Sequence, residues 1–242
     1  MTDSVISPTP PKATLWEDFI DIFYQPVDVF ERRREGQFGA ALLVLAVLSG
    51  ALYLALQNGL APIFDAEASR AAAAMAASNP ELNSEQLAAG QGVMEKFGVL
   101  FFVLGTPLGV AVSALVLWLV GKLFDAKQSF AATMMVATYA NFPRLLELVI
   151  NAVQGLMMSP ESVSSRFSVS LGPARFLDPD ATNPVLLAVL GSLDFFTIWV
   201  TVLLGVGLYV TGLVTKRSAA IAAGVVWLVS LIPSLYGTLQ GA

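Results

Sequence analysis

The chain has 242 residues, of which 56% are hydrophobic and 13% are charged, and its formal net charge at pH 7 is −5. Soluble domains carry about a quarter charged residues, and here the apolar residues form long runs, so the composition indicates an all-α, polytopic membrane protein. The absence of Cys and His excludes disulfides, thiol nucleophiles and Cys/His metal sites, and the negative net charge argues against nucleic-acid binding.

The N-terminal segment divides into a polar tail and an amphipathic elbow. Residues 1–14 contain three prolines and are predicted to form a disordered cytoplasmic tail, without the charged and apolar regions of a signal peptide. Residues 15–36 are predicted to form two short helices, the second starting at Pro26. The elbow either lies on the membrane surface or docks on the protein's own spans, since its acidic face is unusual for a lipid-binding helix. The apolar positions at helical spacing are Trp16, Phe19, Phe23, Val27 and Phe30.

Residues 37–242 contain five hydrophobic runs. Each run is long enough to cross a bilayer as a helix, so the sequence predicts a five-helix transmembrane bundle. The fourth run is bounded most sharply, because about 21 uncharged residues, roughly 31 Å of helix, separate Asp194 from Lys216. The predicted spans cover about 37–60, 97–121, 129–150, 190–214 and 218–239.

The third and fourth runs exceed a single membrane crossing. The run from 129 to 158 would measure about 45 Å as a helix, against about 30 Å of hydrocarbon core. If each span begins at its cytoplasmic end, the surplus lies at the outer leaflet. There, residues 145–158 and 185–193 are predicted to form interfacial or re-entrant helices.

The loop between the first two spans is predicted to have its own structure. Residues 63–96 are expected to form an extracytoplasmic helical hairpin, with an Ala-rich first helix that ends at Asn79-Pro80. Asn83 or Ser84 can cap the second helix. This hairpin either roofs the bundle or offers a surface to a partner.

The distribution of Lys and Arg predicts the orientation. Most basic residues lie at helix ends or in short loops on one side, which is therefore cytoplasmic. The N-terminus is predicted to be cytoplasmic, and an odd number of spans places the C-terminus outside. The cytoplasmic set is Lys12, Arg32, Arg33, Arg34, Lys122, Lys127, Lys216 and Arg217, and the other side carries Arg70, Lys96, Arg166 and Arg175.

Three charged residues, Arg144, Glu147 and Asp194, interrupt the long apolar runs. The depth argument places all three at about the same level, near the outer boundary of the membrane. We predict that Arg144 pairs with Asp194, and that Glu147, one helical turn away, shares the arginine. A structural ion pair and a proton or ion site in a transporter are both consistent with this pattern.

Tyr139, Asn141 and Pro143 complete the candidate polar site. Pro143 removes one backbone hydrogen bond, so the freed carbonyl near Tyr139 must find another donor or water. The break either packs or ends the crossing helix, or it opens a ligand site of the kind found in transporters.

Gly105, Gly109 and Ser113 form a stripe of small residues on the second span. Such a stripe lets another helix approach closely, either inside the bundle or between chains.

Common enzyme motifs are missing from the sequence. The patterns G-x-S-x-G, the P-loop and H-E-x-x-H do not occur, so we expect no catalytic residues, no cofactor and no metal. An intramembrane enzyme that uses Ser and Lys or paired acids is the least favoured alternative.

Three segments resemble one known family. Residues 137–146 resemble the A-Y-A-x-x-P-x-L-L segment of the Yip family, the Ypt/Rab-interacting membrane proteins. Residues 193–199, followed by Gly205, Gly207 and the pair Lys216-Arg217, resemble that family's L-D-x-F-x-I-W span. Residues 25–30 resemble its P-x-x-x-F entry to the first helix.

The resemblance implies a five-helix bundle with a cytoplasmic N-terminus. Eukaryotic members are associated with Rab GTPases and early secretory traffic, but this chain lacks their long N-terminal region with its D-L-Y-G-P motif. The chain is similar to the prokaryotic branch, which implies the bacterial cytoplasmic (inner) membrane. The family pattern supplies no catalytic residues.

The favoured hypothesis is a non-enzymatic integral membrane scaffold or adaptor. Its expected partners are the lipid bilayer and either other membrane proteins or a second copy of itself, through the elbow and the outer helices. The alternative is a small transporter or channel that uses Arg144, Glu147 and Asp194. Transport predicts a polar cavity that reaches those residues, whereas a scaffold predicts a closed pair under a sealed roof.

Overall fold

The structure is a computed structural model that describes residues 14–78 and 84–240, with side chains for 14–77 and 97–236. The predicted tail, apart from Thr14, lies outside the described residues, as do Asn79-Pro80 and Asn83. Throughout the described part the regular elements are helices. They are α1 (Leu15–Asp21), α2 (Pro26–Arg32), α3 (Gly39–Ser78), α4 (Ser84–Leu123), α5 (Phe130–Ala140), α6 (Pro143–Met157), α7 (Pro184–Gly191), α8 (Phe195–Gly212), α9 (Lys216–Ser230) and α10 (Ile232–Gln240). Three short 3₁₀ turns, Pro160–Ser162, Arg166–Val169 and Pro173–Phe176, connect α6 to α7.

Among the described residues, four helical segments are long and apolar enough to cross a membrane. They identify the chain as an integral membrane protein, and a soluble protein would not tolerate so many large apolar side chains on its surface. The span boundaries assigned from the sequence stay predictions. The four segments are Gly39–Ala77, Phe97–Leu123, Phe195–Gly212 and Lys216–Tyr236.

The predicted third span is not a single helix. Helix α5 ends at Ala140 and α6 begins at Pro143, so the helix breaks where the sequence predicted a kink or an end, and the bounds 129–150 of the span stay a prediction. Pro143 has no N–H to continue the helical bonding, and the two backbone groups before it are satisfied locally. The side-chain amide Nδ2 of Asn141 donates to the Ala137 carbonyl at 2.7 Å, and the backbone N–H of Phe142 donates to the Tyr139 carbonyl at 3.2 Å.

Helices α3 and α4 are each 40 residues long, and each runs without a break from the expected span into the outer hairpin. At 1.5 Å per residue they measure about 60 Å, roughly twice the hydrocarbon thickness. The backbone therefore shows no helix break between the first span and the predicted hairpin, and the membrane boundary between them stays a prediction. Pro62 lies inside α3 without ending it, and the Ala-rich sequence that follows favours helix strongly.

Helix α5 lies at the centre of the bundle, because its residues from Ala132 to Ala140 are all buried. It packs against α3, α4 and α8. Outside this core, α3 and α6 cross very closely. A Cβ on Gly155 would collide with the Gly59 carbonyl, and a Cβ on Gly59 would collide with the Ala152 carbonyl. Small residues at this crossing are therefore a condition of the fold.

The elbow formed by α1 and α2 docks on the bundle. Phe19 stacks on Phe142 with ring centroids 4.4 Å apart, and Phe23 meets Trp199 edge-on at 5.6 Å. Ile22 and Phe30 are fully buried. These contacts favour the second of the two expected positions, docking on the chain's own helices. A location at the membrane surface stays a prediction.

Ion pairs fix the angle between the two elbow helices. The Asp18 carboxylate is fully buried, and it accepts from the Arg32 guanidinium at 2.8 Å and the Arg33 guanidinium at 2.6 Å. Asp21 pairs with Arg32 at 2.5 Å and accepts from the Tyr24 hydroxyl at 2.8 Å. The hydrogen bond from Tyr24, followed by that from Arg32, lowers the pKa of Asp21 below its ordinary value. Two of the arginines used to predict orientation thus also hold the elbow closed.

Candidate functional site

Helix α6 is amphipathic, with its apolar face on the outside of the bundle and its polar face toward the other helices, which is the reverse of a helix in a soluble protein. Its polar residues recur on one face at helical spacing and point between helices, whereas Leu146, Val153, Leu156 and Met157 are exposed on the outside. Such a helix places its apolar face toward lipid and its polar face toward a protein interior. The polar face consists of Arg144, Glu147, Asn151 and Gln154.

Two cavities lie on either side of this polar face, and the second is the more polar of the two. The first encloses about 330 Å³ between α3, α4 and α6, and the second about 380 Å³ between α6, α7, α8 and the α9–α10 junction. Glu147 and Asn151 line both. The polar level predicted from the sequence is therefore accessible from two sides.

Arg144 pairs within its own helix. Its Nη1 lies 2.6 Å from Oε2 of Glu147, and its Nη2 donates to the Thr197 hydroxyl of α8 at 3.3 Å. The side chains are 40% and 23% exposed respectively, so the pair is partly hydrated. An ion pair of this exposure adds little stability and leaves both charges available to a ligand.

The predicted pair between Arg144 and Asp194 is wrong. Asp194 is 7% exposed, and its carboxylate already accepts three hydrogen bonds: from the Phe196 N–H at 2.9 Å, and from the Ser170 hydroxyl and the Leu171 N–H at 2.8 Å each. The first bond caps α8, and the other two fasten the outer loop to the helix start. Spacing along the chain could not reveal this, because the loop partners are about 24 residues away.

The remaining predicted site residues separate into two groups. Asn141 lines the first cavity with Arg144, whereas Tyr139 and Pro143 line neither of the two cavities. Tyr139 is fully buried against Phe19, and its hydroxyl has no hydrogen-bond partner among the described residues. Pro143 acts through the backbone, by starting α6.

Several polar residues in the cavities or beside them were not anticipated: Asn151, Arg166 and Ser170 line a cavity, and Gln154 does not. Asn151 and Gln154 follow Glu147 at helical spacing, so a search for a polar stripe along 144–154 would have found them. Arg166 and Ser170 come from an irregular loop and carry no signal in the sequence. Gln154 ties that loop to α6, donating to the Val169 carbonyl at 2.8 Å and accepting from Arg175 at 2.6 Å. Within the described ranges, no three acidic side chains come together as a metal site.

The two glycines of the small-residue stripe on α4 are not packed against another described helix, and both line the cavity of about 330 Å³. A Cβ added to Gly105 or Gly109 would meet no described atom within 4 Å. Both glycines are exposed, beside the large apolar side chains Leu104 and Leu108. The internal packing considered for this stripe is therefore not observed at its two glycines.

Comparison with known proteins identifies the family. A model of the Yip1 domain matches residues 20–237, which is most of the chain. The chain belongs to the Yip1 domain family. The resemblance drawn from the three sequence segments is thereby confirmed.

One curated relative is similar to this Yip1-domain chain over almost its whole length. The membrane protein YknW of Bacillus subtilis (strain 168) is 23% identical over 237 residues, covering 95% of each chain. No solved structure matches the chain significantly. The comparisons therefore support membrane residence and family, and they name no activity.

Proposed function

We propose that this Yip1-domain chain is a non-enzymatic membrane scaffold that binds another membrane protein through the exposed face of α4. The observation that carries the proposal is the open stripe at Gly105 and Gly109. Glycines in a membrane helix let a neighbouring backbone come close, and no described residue of this chain lies within 4 Å of a Cβ built on either glycine.

The surroundings of the two glycines support a helix as the occupant. Leu100, Leu104 and Leu108 project on the same face and border an apolar groove of about 310 Å³. Gly105 forms part of the floor of this groove. A groove with small residues at its base and leucines at its rim suits the ridge of a second helix.

Replacement of the glycines tests the docking face. A Cβ at Gly105 or Gly109 meets no described atom within 4 Å, so we expect the fold to persist in Gly105→Leu and Gly109→Leu while helix docking is lost. Both glycines also line the cavity of about 330 Å³, so a monodisperse peak in size-exclusion chromatography is required of each variant before its partners are compared. The measurement is affinity purification in mild detergent followed by mass spectrometry. We expect recovery of the reproducible partners of the unmodified chain to fall severalfold for each variant, because a leucine side chain prevents the close backbone approach that a glycine allows.

Gly224→Leu is the matched control. Gly224 is also an exposed glycine in a membrane helix with open space around its Cβ, but it lies on α9. Partner recovery should be unchanged in this variant. Recovery of the chain alone, without any reproducible partner, would contradict the adaptor proposal, and equal losses in all three variants would contradict the assignment to α4.

A second candidate function is a small transporter or channel. The two cavities that meet at Glu147 support it, because a closed Arg144–Asp194 pair was the arrangement expected of a pure scaffold. Reconstitution into liposomes with an internal pH-sensitive dye tests proton movement. Flux above that of empty liposomes that disappears in Glu147→Gln would favour transport, and flux equal to that of empty liposomes would count against a proton pathway.

We also propose that the chain resides in the bacterial cytoplasmic membrane with its N-terminus inside and its C-terminus outside. Because the native sequence has no Cys, single cysteines can be introduced and labelled from outside with an impermeant maleimide. Asp178→Cys should be labelled in intact cells, and Ser218→Cys only after permeabilisation. The reverse pattern would overturn the orientation.

A further inference from the structure

The cavity of about 380 Å³ carries fixed charges of both signs. Arg166 contributes a guanidinium, and Glu147 and Asp194 contribute carboxylates. Hydroxyl groups of Ser170, Ser192, Thr197, Ser230 and Ser234 line the remaining wall. A cavity of this size holds a small polar molecule.

The charged groups differ in how fully they are satisfied. Asp194 already accepts three hydrogen bonds from its own chain. Glu147 uses Oε2 for Arg144, and no described residue donates to its Oε1. Arg166 forms no ion pair with any described side chain, and its guanidinium lies 5.0 Å from the ring centroid of Phe167. One acceptor and one cation thus remain for a ligand.

The Phe167 ring is part of the cavity wall because Gly191 makes room for it. A Cβ at position 191 would collide with the ring. This glycine therefore allows Phe167, and with it the Arg166 guanidinium, to lie against the end of α7.

We propose that this cavity binds a zwitterion that carries a primary ammonium and a phosphate. The phosphate pairs with Arg166 and the ammonium donates to Glu147. A purely anionic ligand would be repelled by Glu147 and Asp194, and a purely cationic ligand by Arg166. Binding at this site is independent of the docking proposed at α4, because Arg166 and Glu147 lie on other elements. It also requires no movement of the ligand across the membrane.

Two sources supply this chemistry, the headgroup of phosphatidylethanolamine and free phosphoethanolamine. Exposed apolar residues near the cavity, Val185 and Leu186 on α7 and Ile232 on α10, offer a surface along which acyl chains can lie. Under the proposed orientation, the cavity belongs to the outer half of the membrane domain. The lipid and the free solute are separated by experiment.

The test is thermal stabilisation of the purified full chain in detergent. The probes are dihexanoyl phosphatidylethanolamine, its phosphatidylcholine and phosphatidylglycerol counterparts, and free phosphoethanolamine. A ligand at ten times its Kd should raise Tm by about 3–6 °C. We expect this rise with the phosphatidylethanolamine probe. The rise should be smaller with phosphatidylcholine, whose quaternary ammonium has no N–H, and with phosphatidylglycerol, which has no ammonium group. A rise with the lipid alone supports the membrane source, and an equal rise with free phosphoethanolamine supports a soluble one.

Variants locate the site. Arg166→Gln and Glu147→Gln should each raise the apparent Kd about tenfold or more, as expected when a charged hydrogen bond is lost. Arg166→Lys keeps the charge and should retain part of the affinity. The controls Arg217→Gln and Glu161→Gln change exposed charges away from the cavity and should respond like the native chain. Equal responses to all lipids, or unchanged affinity in both cavity variants, would overturn the proposal.

Discussion

Replacing Asp194 with alanine should loosen the start of α8 and the outer loop together. The substitution removes the helix cap on the Phe196 N–H, which is Oδ1, and the single acceptor Oδ2 that serves both the Ser170 hydroxyl and the Leu171 N–H. Loss of an N-cap costs about 1 kcal/mol. Each loop donor left without a partner costs about 1 kcal/mol, at the lower end of the range because Leu171 is itself exposed.

The sum, about 3 kcal/mol, corresponds to a fall in Tm of roughly 6–12 °C for a chain of this size. The assay is thermal unfolding in detergent, followed by the monodisperse peak in size-exclusion chromatography. Hydrogen exchange should also show lower protection over residues 170–171 and at the α8 start. Asp194→Asn keeps one capping oxygen and should fall between Asp194→Ala and the native chain.

A double-mutant cycle distinguishes this arrangement from the ion pair expected from the sequence. Arg144→Ala alone should cost less than about 1 kcal/mol, because its pair with Glu147 is partly hydrated. Combined with Asp194→Ala, the two effects should add. A coupling energy above about 0.5 kcal/mol between the two substitutions would refute the assignment of Asp194 to the loop. So would a loss of unfolding free energy in Asp194→Ala that is no larger than in the exposed control Glu161→Ala.

Two further predictions concern packing. Asp18→Asn leaves Arg32 and Arg33 without their buried carboxylate and should cost about 3 kcal/mol, the lower end for a broken buried pair because both arginines are partly exposed. Faster proteolysis within residues 15–32 is the measurement, and the exposed Asp28→Asn should behave like the native chain. Gly155→Leu should prevent the α3–α6 crossing and abolish the monodisperse peak, whereas Gly224→Leu, with open space at its Cβ, should change stability by less than about 0.5 kcal/mol. A stable Gly155→Leu protein would show that α3 and α6 can separate without loss of the fold.

The membrane location could be predicted from the sequence, because the length of an apolar run is a local property. A helix in lipid satisfies its own backbone, so a run such as 195–212 is recognisable without knowledge of its neighbours. The break near Pro143 was also visible, since proline acts on the residues directly before it. The motif at 193–199 likewise lies within one short segment and was sufficient to indicate the family.

The partners of the polar residues could not be predicted from the sequence. Arg144 and Asp194 were placed at one level by counting residues along two helices, but that count contains no information about the loop over 160–177. In the structure that loop lies against the start of α8, and its Ser170 hydroxyl and Leu171 N–H donate to the Asp194 carboxylate in place of Arg144. The donors of this irregular loop are positioned by short 3₁₀ turns. The placement of these turns depends on tertiary packing, so the spacing of apolar residues in the sequence does not predict it.

The sequence by itself determined that the chain is an all-helical membrane protein of the Yip1 domain family, because span length, proline breaks and short motifs are local signals. Only the tertiary structure decided what each polar and small residue does, because close approach depends on neighbours far along the chain. It placed Asp194 under the outer loop and Arg144 beside Glu147 between two cavities. It also left Gly105 and Gly109 open on the surface of α4.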